Sequence, residues 1–309
     1  MQKETISDII LSSKFYKKTD DSLKDEDNVG WVMELSVSEI REWATILKWV
    51  RVADRLLEND ILQKSSKKQI YTFKNFLSEW KILRKGKTPV NSPFSTLFEE
   101  LKERWDRESL SEKDLKVWDL YLESLEKYAI PETVIRDMKE YKKALYGLSG
   151  TFFQAFPFAP KNLQKEIGVL GMLDQFYNNL RDLYEDTVRG VCYFPRALLS
   201  RFEISRNNMD LLVSTPDNRF SNMVEFMLSK FAIDLKEEMN PLLSSKDLHH
   251  SWKVMLKHVL HRYERIERVF RLCNYNAKQF NFRYWDFVRA DIDPKISLKF
   301  QLFKSTLRF

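Results

Sequence analysis

Cysteine is nearly missing from this chain: Cys192 and Cys273 are the only two, far apart and outside any CxxC spacing. That excludes a disulfide framework, argues against a zinc site, and suits a reducing cytosolic compartment. Cys273 lies among apolar residues and reads as a small core hydrophobe rather than a nucleophile. Glycine and proline are scarce as well, 7 and 9 in 309 residues. No Gly-rich phosphate loop can be found, which sets aside Rossmann and P-loop nucleotide sites. Long apolar runs are also lacking. The longest uncharged stretch, Ala144 to Pro160, is broken by glycines and prolines and is shorter than the roughly 20 residues a spanning helix needs. The first residues, "MQKETISDIILSSKFYKK", show neither the apolar core nor the small-residue cleavage site of a signal peptide. The expectation is a cytoplasmic protein whose membrane contact, if any, is peripheral.

What the chain does have is Leu, Lys, Glu and Phe in abundance, which favours helix. Lys and Arg outnumber Asp and Glu by 51 to 45, a mild excess that attracts polyanions without implying nucleic acid. Residues 17–30 are charged and almost free of apolar side chains, so residues 1–30 read as a mobile N-terminal segment; the acids lack EF-hand spacing. Helical periodicity begins at Ser36, which has capping-box spacing to Glu39. Ile40, Trp43, Leu47, Val50, Ala53 and Leu57 then recur at three- or four-residue steps.

Breaks at "GKTPVNSP" (86–93), "PFAPKN", "STPDN" and "NPLLSSKD" separate further helical stretches at 94–105, 113–128 and 132–155 and the helix that follows "PFAPKN". "SWKVMLKHVLHRYERIERVFRLCNY" reads as a strong last helix, and only "KISLKFQLF" (295–303) hints weakly at a strand. Residues 31–309 read as one all-α domain of many helices, too long and irregular for a four-helix bundle.

The stretch "FYNNLRDLYEDTVRGVCYFPRALL" (176–199) concentrates acids, arginines and an asparagine pair. At about 100° per residue, counted from Gln175, Asn178 falls at about −60°, Asp182 at about −20°, Asp186 at about +20° and Arg189 at about −40°. These polar groups share one narrow face, while Leu173, Leu180 and Leu183 anchor the helix elsewhere. A solvated face more often mixes Lys and Glu at i,i+4. On the earlier helix, Asp54 and Glu58 share a face with Leu47 by the same count, and Asp60 falls on the far side. Carboxylates facing inward must be paired or metal-bound. All-oxygen ligands suit Mg²⁺ bridging to a substrate phosphate, with Arg51, Arg55, Arg181 and Arg189 nearby in sequence to meet further phosphate oxygens. A Mg²⁺–diphosphate site, buried salt-bridge networks and plain surface helices all remain open on spacing alone.

"QFYNNLRDLYEDTVRGVCYFP" (175–195) resembles the second acidic motif of the squalene and phytoene synthase family, roughly Q-x-x-N-x-x-R-D-x-x-E-D and then G-R-x-Y-x-P. "WVRVADRLLEND" (49–60) is similar to that family's first motif, about 130 residues earlier. "LYGLSGTFFQAF" and "HRYERIERVFRLCNY" resemble two further family segments, so the likeness spans about residues 33–285.

The resemblance implies the all-α isoprenoid synthase fold, with helices around a central cavity. It also implies Mg²⁺-dependent head-to-head joining of two prenyl diphosphates, farnesyl or geranylgeranyl, with loss of diphosphate. Such chemistry needs charge neutralisation of the leaving group and a dry, apolar-walled cavity. Phe152, Phe153, Phe156, Phe158 and Phe176 are candidates for that wall, although each alone reads more simply as core.

Carried over by position, the metal ligands would be Asp54, Glu58, Asn178, Asp182 and Asp186, the four acids forming the catalytic set. Arg51, Gln175, Arg181, Arg189, Tyr193 and Tyr263 would place the substrates. "SSKFY" (12–16) is faintly similar to an N-terminal phosphate contact. NADPH would be used if the product is squalene, and a lipophilic product favours peripheral membrane contact.

Four positions depart from the pattern. Glu58 stands for Asp, Val191 for Arg, Phe153 for a small Gly, and Ala144 for a common Tyr. Phe153 shortens the expected pocket and tilts the reading toward farnesyl substrates. The departures leave two alternatives: a relative that has lost turnover and serves as a binding or assembly protein, and a related prenyl diphosphate chemistry such as cyclisation. His258 and His261, at i,i+3, form a possible metal pair without a third ligand and read as ordinary surface or core histidines.

Overall fold

The computed structural model describes residues 18–62, 72–89, 91–130, 133–188, 190–209, 213, 215 and 217–306. Helices and turns account for the regular structure, and no strand occurs among the described residues. The all-α expectation is therefore met. Contacts group the chain into two compact units. One runs to Glu126 and takes in Ala155–Pro157 and the residues from Pro294; the other comprises Lys127–Gln154 and Phe158–Asp293.

The first unit contains α1 (Lys18–Val29), α2 (Val37–Leu62), α3 (Phe73–Arg84), α4 (Ser95–Glu108) and nearly all of α5 (Glu112–Tyr128). Three starts are locally encoded. Ser36 and Glu39 form the expected capping box, with Ser36 N–H donating to Glu39 Oε2 at 2.9 Å. Thr72 with Asn75 and Ser111 with Asp114 repeat the device at α3 and α5. The buried row of α2 is Trp43, Ile46, Trp49, Ala53 and Leu56, whereas Ile40, Leu47 and Val50 are only half-buried. The core row is thus rotated from the sequence-read stripe, because the indoles have the most area to bury. Trp49 packs on Trp118 with ring centres 4.7 Å apart, and Trp80 packs edge-on against Trp105 at 5.4 Å.

Two sequence readings of this unit need correction. Residues 18–29, read as part of a mobile loop, form α1, with Glu26 and Asp27 buried. Their charge density resembled that of a solvated loop, yet Asp25 meets Arg51 at 2.6 Å. The "KISLKFQLF" segment lies in a C-terminal helix, Pro294–Thr306, not a strand; it packs near the 3₁₀ turn Gly30–Glu34. An alternation of only a few residues does not separate the two periods.

The second unit holds α6 (Met138–Leu145), α7 (Gln164–Arg181), α8 (Leu183–Val188), α9 (Arg196–Arg201), α10 (Asn218–Phe226), α11 (Ala232–Glu238), α12 (His250–Leu272) and α13 (Ala277–Asp291). Helix α12 is therefore not the last. The stretch 132–155 is less uniform than its pattern: residues 133–137 are extended or bent, and Asp137 caps α6 through the Glu140 N–H at 2.8 Å. Beyond α6 the chain widens into a π turn, Tyr146–Gly150, closed by Thr151 N–H donating to Tyr146 O. That turn packs against α7 through glycines. A Cβ on Gly171 would lie 2.6 Å from Gly150 Cα, and one on Gly150 would lie 2.7 Å from Gly168 O. Only hydrogen at these positions lets the two backbones approach so closely. Helix α7 is consequently buried nearly all round: from Ile167 to Arg181 every residue is buried except Gln175 and Asn178.

Candidate active site

The two acidic motifs lie in different units, and each has its own setting. In the first unit, α2 carries Arg51, Asp54 and Glu58. Asp54 is half-buried and accepts a hydrogen bond from the Tyr121 hydroxyl at 2.6 Å. Arg51 is held by Asp25 of α1, and Arg55 is buried. Glu58 belongs to α2, but its side chain, like that of Asp60, lies outside the described residues. The "SSKFY" segment lies outside them as well.

In the second unit, Gln175 and Asn178, the two half-buried residues between Ile167 and Arg181, begin a row that Asp182 and Asp186 continue. The helix breaks at Asp182, whose ψ is 2°. The register survives the break, because Asp182 N–H donates to Asn178 O and Asp186 N–H donates to Asp182 O, each at 2.9 Å. The four side chains therefore remain on successive turns.

Helix α8 then ends in a Schellman motif. Gly190 takes φ +78°, and the Val191 N–H reaches back to Asp186 O at 2.8 Å. This accounts for the glycine of "RGVCYFP" and makes Val191, which stands where the family pattern has Arg, the residue that closes the helix end. Arg189 lies outside the described residues.

Within the row, Gln175 Nε2 donates to Asn179 Oδ1 at 2.8 Å. Arg181, buried, donates Nε and Nη2 to the two oxygens of Asp182 at 2.9 and 3.0 Å. Asn178 Nδ2 donates to Asp174 Oδ2 at 2.9 Å. Its Oδ1 is shielded from solvent and has no hydrogen-bond partner among the described residues. A buried unpaired carbonyl costs about 1–3 kcal/mol, so this oxygen is poised for a cation or a donor.

Tyr193 is half-buried. Tyr263 is buried, stacked on Tyr177 at 4.4 Å, and donates to Asp174 Oδ1 at 2.9 Å. Burial first, and then the Asp174 carboxylate, push the Tyr263 phenol well up, so it stays a neutral donor. The phenylalanine candidates divide. Phe153, Phe156 and Phe176 are buried core, Phe152 is half-buried, and Phe158 is exposed and stacked on His249. His261 is exposed, 4.0 Å from Asp291. Cys192 and Cys273 are free and buried, and burial pushes both thiols up, which does not suit a nucleophile.

Sequence reasoning missed Asp174. It is 6% exposed and takes hydrogen bonds from Arg262, Tyr263 and Asn178. One signal was available, since Asp174 stands four residues before Asn178 and shares its side of the helix. The partners 88 and 89 residues away had no local signal. A buried carboxylate with a cationic partner and two more donors is compensated. Among the described residues, no three His, Cys, Asp or Glu side chains group closely enough to hold one ion. No described helix is long and apolar enough to cross a membrane.

Residues 159–269 match the squalene/phytoene synthase family. No curated protein matches the chain. Among solved structures, it is similar to a dehydrosqualene synthase in complex with ligand, at 14% identity and TM-score 0.57, over 89% of this chain and 97% of that one. It is also similar to squalene synthase HpnC from Alicyclobacillus acidocaldarius, at 12% identity and TM-score 0.58, over 88% and 95%. At such identities the likeness speaks for the fold. The matched span, 159–269, contains the second acidic motif, Gln175 to Pro195.

Proposed function

We propose that this protein is a Mg²⁺-dependent prenyltransferase that joins two prenyl diphosphates head to head into a squalene- or phytoene-type product, releasing diphosphate. One observation carries the reading: the polar row Gln175, Asn178, Asp182 and Asp186 extends the only half-exposed positions of an otherwise buried helix stretch. An amide oxygen in that row lacks a partner among the described residues.

The donors fit the ion. Asn178 Oδ1 and the carboxylates of Asp182 and Asp186 are hard oxygen ligands, too few to enclose Mg²⁺ and so suited to an ion that keeps waters and shares phosphate oxygens. Asp54 and Glu58 are the proposed ligands of the first motif. When bound, Mg²⁺ supplies neutralisation of the diphosphate leaving group.

The chain's own residues do the rest. Arg181 presents a two-pronged guanidinium that suits a phosphate as well as it suits Asp182, and Arg51 offers a second. Gln175, oriented by Asn179, places a polar contact beside the row. Phe152, half-buried, is the candidate aromatic face toward the substrate, and buried Phe153 favours farnesyl over geranylgeranyl chains. A reduced product requires hydride from NADPH.

The second reading, a relative without turnover, draws on the Arg181–Asp182 pair and on Val191. Pure protein incubated with Mg²⁺ and farnesyl or geranylgeranyl diphosphate, with and without NADPH, separates the two. Diphosphate release and a C–C-joined hydrocarbon by mass spectrometry are expected; no release from either substrate refutes the enzyme.

A further inference from the structure

Asp174 sits directly beneath the polar row yet belongs to none of the acids that the motif resemblance picks out. Its two oxygens have divided tasks. Oδ1 takes the Tyr263 hydroxyl at 2.9 Å and a guanidinium nitrogen of Arg262; Oδ2 takes Asn178 Nδ2 at 2.9 Å. Asp174, Arg262 and Tyr263 are all buried, and Tyr263 is stacked on Tyr177, so the carboxylate is fixed in place.

An ionised carboxylate accepts and cannot donate. The amide of Asn178 therefore has one tolerable orientation: the flipped amide would set carbonyl oxygen against carboxylate oxygen. Asp174 decides which end of Asn178 it engages, and the other end, Oδ1, has no partner among the described residues. Asn178 Oδ1 is also the amide oxygen that the proposed function assigns to the cation.

We propose that Asp174 is a positioning residue: seated on Arg262 and Tyr263, it locks the Asn178 amide so that Oδ1, not Nδ2, is the atom offered to a divalent cation. This inference rests on the proposed Mg²⁺–diphosphate reading. It adds that cation affinity depends on a carboxylate that never touches the ion. Outer partners of metal ligands commonly act in this way.

The test is ion uptake rather than turnover. Purified protein is titrated with Mn²⁺ in the presence of inorganic diphosphate, free Mn²⁺ is read by electron paramagnetic resonance, and thermal unfolding is followed in parallel. Asp174→Asn should weaken uptake by about tenfold or more, in line with the effect of losing an outer partner. The exchange variant Asp174→Asn/Asn178→Asp should return it to within about threefold of wild type, because a carboxylate at 178 offers oxygen in either rotamer and the new amide at 174 can donate to it.

Wild-type protein that takes up no Mn²⁺ overturns the functional reading and this inference with it. Wild-type uptake with an unchanged Asp174→Asn overturns this inference alone, as does a folded exchange variant that fails to recover. If Asp174→Asn does not fold, the exchange variant decides against wild type directly. Recovery upholds the inference. Lost uptake or failure to fold overturns it, because the exchange keeps both the hydrogen bond and one carboxylate in the pair.

Discussion

Arg181 and Asp182 are sequence neighbours joined by two parallel hydrogen bonds, Nε to Oδ1 at 2.9 Å and Nη2 to Oδ2 at 3.0 Å. The guanidinium is buried and the carboxylate is partly open. The pair is thus a resting contact between a proposed phosphate ligand and a proposed metal ligand. Asp182→Asn removes one of those ligands and leaves a buried cation short of charge. It should abolish Mg²⁺-dependent diphosphate release and cost about 1–3 kcal/mol in urea unfolding. Unchanged release would refute the metal role, and an unchanged unfolding midpoint would refute the stabilising one.

Arg51 is restrained in a similar way, by Asp25 at 2.6 Å with both side chains partly exposed. Neutralising the acid with Asp25→Asn should leave the guanidinium more attractive to an anion. Calorimetry with inorganic diphosphate should show tighter binding by roughly threefold to fivefold, equivalent to about 1 kcal/mol for a partly exposed pair. Affinity unchanged by the substitution would mean that Arg51 does not meet the anion.

The packing of α7 on the Tyr146–Gly150 turn depends on Gly171. Its Cβ would fall 2.6 Å from Gly150 Cα and 2.7 Å from Ser149 O, both backbone atoms that cannot swing aside. Gly171→Ala should destabilise the protein by about 3 kcal/mol or more, beyond the usual range for an added methyl group. A change below about 1 kcal/mol in chemical denaturation would show that the backbones part easily.

Asp217 caps α10, accepting from Phe220 N–H at 3.2 Å and Arg219 N–H at 2.8 Å, and it meets the Arg219 guanidinium at 2.7 Å. The side-chain bond from Arg219 is the largest cause holding this carboxyl below the usual aspartate range. The folded value lies below the unfolded one, so the stabilisation is complete above the unfolded value of about 4 and is lost as pH falls through the lower folded value. Asp217→Asn should therefore lower the unfolding midpoint at pH 6, and the gap should close below pH 4. A gap that stays constant down to pH 2 would contradict the linkage.

Sequence patterns were enough for the local features of this protein. The capping box at Ser36 and Glu39 and the polar row from Gln175 to Asp186 rest on contacts within a few residues, which spacing and helix geometry dictate directly. The row persists across the break at Asp182 because its i→i+4 hydrogen bonds survive. The motif from Gln175 to Pro195 also carried the family resemblance, and it lies within the residues that match the family.

Tertiary structure alone decided the partners. Charge density made residues 18–29 look like loop, until burial of Glu26 and Asp27 and the Asp25–Arg51 pair gave the acids a place to go. The rotation of α2 followed the tryptophans it met. The partners of Asp174, one residue before the motif, were legible only once α12 brought Arg262 and Tyr263 to it from 88 and 89 residues away. Local spacing sets which side of a helix a group occupies. What that group touches depends on which distant helix packs there, because a buried carboxylate is tolerated only where a donor arrives to meet it.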